Sequence, residues 1–91
     1  MTSEPKAPAA PPVEAVLSDA VASLAFAAHA YLSPQEGNPS DSGDLEAASI
    51  ALDVAGAAFE RIEPRLAPQE RSALARLLTD LRLTYVKKRG L

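Results

Sequence analysis

The chain has 91 residues, a formal net charge of −3 at neutral pH and no cysteine. This length carries one domain at most; disulfides and thiolate metal sites are excluded, and the acidic balance argues against a general nucleic-acid binder. Apolar residues make up 47% of the chain but aromatic ones only 4%, so alanine supplies much of the core.

At roughly 25 cal/mol per Å² of apolar surface, an alanine-rich core only marginally offsets chain entropy. Oligomerisation is therefore the expected additional stabiliser. The start, Met1-Thr2-Ser3-Glu4-Pro5-Lys6, lacks the apolar segment of a signal peptide. The apolar run Ala20 to Leu32 would span about 20 Å as a helix, against about 30 Å for a bilayer core. No transmembrane segment is expected, and a cytoplasmic location is the default.

Residues 1–12 read as a Pro/Ala-rich tail, because Pro5, Pro8, Pro11 and Pro12 disfavour both helix and sheet. Its Pro8-Ala9-Ala10-Pro11 step matches a ligand pattern for aromatic grooves, but in such a composition it reads as a tether. Residues 13–91 form the single helical domain. A first helix is predicted over about 13–32, with Val13, Leu17, Val21, Leu24, Ala28 and Tyr31 in one stripe. Its other side mixes Ala22, Phe26 and Ala30 with Asp19, Ser23 and His29. A helix apolar on two sides is usually buried on two sides.

Ser33 to Asp44 is a predicted loop, broken by Ser-Pro, Glu-Gly, Asn-Pro and Ser-Gly steps. Part of it echoes the spacing of a calcium loop. Ser49 stands where the bidentate glutamate belongs, so no calcium site is expected.

A second helix over about 44–63 carries Leu45, Ala48, Leu52, Ala55, Phe59 and Ile62 as its main stripe. Ile50, Val54, Ala57 and Ala58 lie on its far side. Gly56, in mid-helix, costs about 1 kcal/mol relative to alanine, and close helix packing would be a reason for it. A third helix over about 68–89 starts at Pro68, with Leu74 and the candidate core motif Leu77, Leu78, Leu81 and Tyr85 facing inward. Arg76 and Asp80, four apart, can pair on its exposed side.

The ending Asp80-Leu81-Arg82-Leu83-Thr84-Tyr85-Val86, with Asp44-Leu45-Glu46 opening the second helix and Leu52-Asp53 inside it, resembles a bacterial domain-of-unknown-function family (number 1844) of short helical proteins. The likeness covers about Leu17 to Val86, and the D-L-R-x-x-Y-V ending is its specific part. It implies a helical fold and no assigned activity. Three departures stand out: Ser33 for a glycine, Glu63-Pro64-Arg65 for a Lys-Thr-x-Gly-Asn-like linker, and Ala67 for a threonine cap. Loss of that cap would cost about 1 kcal/mol.

Catalytic chemistry is not expected. A single histidine, His29, and no cysteine leave no triad or multi-histidine metal site within one chain; no catalytic, cofactor-binding or metal-ligating residue is assigned and no cofactor is implied. Glu46, Asp53 and Glu60 recur every seven residues, about 10 Å apart along a helix, too far to share one ion. Asp53 is expected to pair with Arg82, since both flank core stripes.

Lys87-Lys88-Arg89 reads as helix capping, with weak contact to nucleic acid or an anionic surface a distant alternative. The expectation is an all-α, three-helix up-down arrangement completed into a larger bundle by homo-oligomerisation. Phe26, Ile50, Val54 and Ala57 are the candidate interface residues. A heterologous protein on the same faces is the runner-up.

Overall fold

In the computed structural model, residues 9–33 and 43–90 are described. The tail through Pro8, and with it most of the Pro-x-x-Pro step, lies outside them, as do residues 34–42 of the loop. Three helices follow one another: α1 (Val13–Leu32), α2 (Leu45–Ile62) and α3 (Pro68–Arg89). A single 3₁₀ turn, Glu63–Arg65, precedes α3. The described residues contain no strand, so the fold is all-α.

Each boundary has a local cause. Pro12 starts α1, its carbonyl accepting from the amides of Ala15 and Val16; proline has no amide of its own to satisfy there. Asp44 caps α2, its Oδ1 accepting from the Ala47 amide at 3.0 Å, which satisfies one of the free donors of the first turn. The amide of Asp44 donates to the carbonyl of Tyr31 at 2.8 Å, tying the end of α1 to the start of α2. Gly43, just before it, has φ +90, and a Cβ there would run into the Tyr31 carbonyl oxygen. Both the dihedral and the space call for glycine.

Pro68 opens α3 with no side-chain cap from Ala67, whose carbonyl accepts from the Arg71 amide at 2.9 Å. Lys87, Lys88 and Arg89 occupy the last turn, where the helix dipole favours positive charge.

Two neighbouring clusters make the core. One joins Ala25, Ala28 and Leu32 of α1, Ala48, Ala51 and Leu52 of α2, and Leu81 of α3, with Tyr85 packed against it. The other joins Val21, Ala55, Phe59, Ile62, Leu66 and Leu78. The α2 stripe faces inward as its periodicity implies.

Two expectations change. The buried arc of α1 runs through Val21, Ala25, Ala28 and Leu32, while Val13 and Tyr31 are exposed; α1 is turned so that Ala25 and Leu32 join Val21 and Ala28 in the core. Leu77 is not a core residue: it is 40% exposed, whereas Leu78 and Leu81 are buried. It stands about 70° around the helix from the midline of Leu74, Leu78, Leu81 and Tyr85, beyond the arc that α1 and α2 cover.

Truncating Leu78 to alanine should lower the free energy of unfolding by about 2–5 kcal/mol, as a cavity in a filled core does. Leu77→Ala should cost about 1 kcal/mol or less; denaturant titration of the two variants checks the difference. Gly43→Ala should cost about 1–3 kcal/mol in the same assay, from the forced left-handed dihedral.

Candidate functional site

A three-helix arrangement has three outer sides, and the side chains divide among them unequally. Between α2 and α3 the groove is charged: Gly56 forms its floor, with Glu60, Glu63, Thr79 and Arg82 around it. Between α1 and α2 the groove is apolar, lined by Leu24, Ala27, Tyr31, Ala47, Ile50 and Ala51. Beyond it along α2, Val54 and Ala57 are exposed. Phe26 is the most exposed large apolar residue at 79%, with Ile50 at 58% and Val54 at 50%. Of the four interface residues named from sequence, Ile50, Val54 and Ala57 belong to the α1/α2 side. Phe26 does not line the groove: it points about 130° from the midline of Leu24, Ala27 and Tyr31.

The structure separates the expected ion pair. Among the described residues the one ion pair joins Arg65 to Glu14, at 3.0 Å; none joins Asp53 to Arg82. The Arg82 guanidinium lies over Gly56, where an added Cβ would meet it, and Asp53 is exposed. The close approach at Gly56 is therefore to the tip of a flexible side chain rather than to a helix backbone. Arg76 and Asp80 likewise form no ion pair with each other; separately, Thr84 Oγ1 donates to the backbone carbonyl of Asp80 at 3.1 Å. No buried charged residue occurs among the described residues, so electrostatics trims this surface without organising it.

Sequence reasoning missed the Glu14–Arg65 pair, which spans the chain from the first turn of α1 to the 3₁₀ turn. The signal was present in the Glu63-Pro64-Arg65 departure, but a separation of 51 residues is invisible to local spacing rules. Being exposed, the pair contributes about 0–1 kcal/mol. Tyr85 packs half-buried, with the Arg89 guanidinium carbon 5.6 Å from its ring centroid, a cation–π geometry. His29 is exposed, and its carbonyl accepts from Ser33 Oγ at 3.0 Å.

Among the described residues no three His, Asp or Glu side chains gather as a metal site. Helix α1 as a whole is long and apolar enough to cross a membrane, by length and composition only; the 13-residue apolar run is shorter than the helix that contains it. No family model, no curated protein and no solved structure matches the chain.

A double-mutant cycle of Asp53→Ala and Arg82→Ala should give a coupling energy below about 0.5 kcal/mol, since the two side chains form no ion pair. Coupling above about 1 kcal/mol in unfolding titrations would restore the pair in solution.

Proposed function

We propose that this chain is a non-enzymatic structural or interaction protein that acts as a homo-oligomer, the dimer being its smallest working form. The observation that carries the reading is the outward placement of Phe26, Ile50 and Val54, with Ala57 exposed three residues on from Val54, on a chain whose core is rich in alanine. Burying a phenylalanine, isoleucine or valine contributes about 1.5–3 kcal/mol each, a large share of the stability of a domain this small. A cytoplasmic location and membership of the bacterial family named above belong to the same proposal; the family likeness brings no activity with it.

A second reading has its own support. Leu83 and Val86 are also exposed, on α3, away from the α1/α2 groove. An adaptor that binds a heterologous protein would use such a surface. The basic end is a weaker candidate for anionic partners, because Arg89 is engaged over Tyr85.

Light scattering across a wide concentration range tests the proposal. The full chain should run as a dimer or larger, and Ile50→Glu should weaken association at least about 30-fold, the roughly 2 kcal/mol of an interface hot spot. A well-folded monomer at every concentration would move the reading to the adaptor.

A further inference from the structure

Two rows of residues outside the core share a spacing. On α1, Val16, Ala20, Ser23, Ala27 and Ala30 step by four, three, four and three. On α2, Ala47, Ile50, Val54, Ala57 and Arg61 step by three, four, three and four. Alternation of three and four is the spacing with which a helix presents a continuous seam to another helix. All ten residues are exposed or only half-buried, so neither seam is occupied by the chain's own core. Leu24, Ala27 and Tyr31 share one groove with Ala47, Ile50 and Ala51, which sets the seams side by side and antiparallel on one outer face.

That face differs from the α2/α3 side in charge. Its two seams contain a single charged residue, Arg61, at one end. The α2/α3 side carries Glu60, Glu63 and Arg82, while Arg76 and Asp80 are exposed on the outer side of α3. Two helices of this length, each about 10 Å across and 27–30 Å long, present a footprint of about 600 Å². Covered on both copies, this exceeds the roughly 1,000 Å² total that a specific interface needs.

We infer that the α1/α2 face is covered by the same face of a second copy, turned end over end, so that α2 crosses α2 antiparallel about Val54 and α1 crosses α1 antiparallel about Ser23. This rests on the homo-oligomer reading above and specifies which surface it uses. The small residues of the α1 seam let the backbones approach closely, toward the lower end of the 8–10 Å range, and Ile50 and Val54 fill the α2 seam. Arg61 decides the rotation. End over end, it meets the first turn of the partner's α2, where Glu46 supplies an exposed carboxylate beside the Asp44 cap. Turned about the long axis instead, it would meet the first turn of the partner's α1, whose Glu14 is already held by Arg65. The result is a four-helix layer with α3 of each copy on the outside, an isologous contact that closes on itself.

The chain has no cysteine, so one introduced thiol reports one position. Val54→Cys places two thiols at the two-fold axis, where a disulfide can form. Leu83→Cys, on α3, is the control, and Ser23→Cys repeats the test on α1. At micromolar full-length protein under mild oxidation, Val54→Cys and Ser23→Cys should each form a disulfide dimer about 100-fold faster than Leu83→Cys, as expected for an effective concentration in the millimolar range. Circular dichroism confirms that each variant folds.

A chain that is dimeric by light scattering, yet cross-links through Val54→Cys no faster than through Leu83→Cys, overturns this face while self-association stands. Cross-linking only between Val54→Cys and Ser23→Cys chains, when mixed, overturns the end-over-end rotation. A monomeric mass together with slow cross-linking at all positions overturns both this inference and the reading beneath it.

Discussion

The contact on which the rest of this structure depends is the one between α1 and α2, and it is made largely of methyl groups. Ala25 and Ala28 face Ala48 and Ala51 in one cluster, with Ala55 continuing the line in the next. Small side chains let two helices pack at the close end of the usual range. They also limit what packing contributes, since each buried methyl or methylene is worth only about 0.8 kcal/mol. The larger residues near them, Leu32, Leu52, Phe59 and Ile62, therefore carry most of the burial. The same choice of small residues inward leaves Phe26, Ile50 and Val54 outward. An alanine-built hairpin with large apolar residues on its outer side is under-stabilised alone and suited to being covered, which is why the proposed partner is another copy.

Closing that hairpin takes little chemistry. Asp44 serves twice: its carboxylate caps α2 and its amide reaches back to the Tyr31 carbonyl. Gly43 supplies the left-handed step that brings these groups into register. At the opposite end the Glu14–Arg65 pair and buried Leu66 fasten the turn before α3 to the body of the fold. The helix ends are thus located by backbone geometry and by one carboxylate at each junction, while the interior is left to shape.

Helix α3 is held more lightly. Only Leu78 and Leu81 of its residues are buried, with Leu74, Ala75 and Tyr85 leaning against the two clusters. Its arginines border the charged groove, where Arg82 spreads over Gly56 instead of meeting an acid. An exposed arginine in water gains little from a distant carboxylate, and here it is the guanidinium itself that rests over Gly56. This asymmetry separates a tight α1/α2 pair from a third helix laid along it, and it leaves the α1/α2 groove apolar.

Helical periodicity, the prolines at 12, 64 and 68 and the caps near Asp44 made three helices legible from sequence, since those signals act within one or two turns. The inward stripe of α2 was equally legible, because its apolar residues differ clearly in size from its polar ones. What the sequence could not rank was one alanine against another on α1, or Leu77 against Leu78 on α3. Both choices depend on the angle at which a neighbouring helix arrives, which no local rule contains.

The surplus of apolar surface could be read from composition and from the second stripe of α2. Which side of the fold would expose it, with Phe26 outside the α1/α2 groove, was decided only by packing. The same holds for the ion pairs. Positions flanking two core stripes suggested Asp53 with Arg82, and spacing along one helix suggested Arg76 with Asp80, yet the pair that forms, Glu14 with Arg65, joins residues far apart in the chain. Local sequence determined the elements, because their energetics are local; tertiary structure decided faces and partners, because those follow from how whole helices meet.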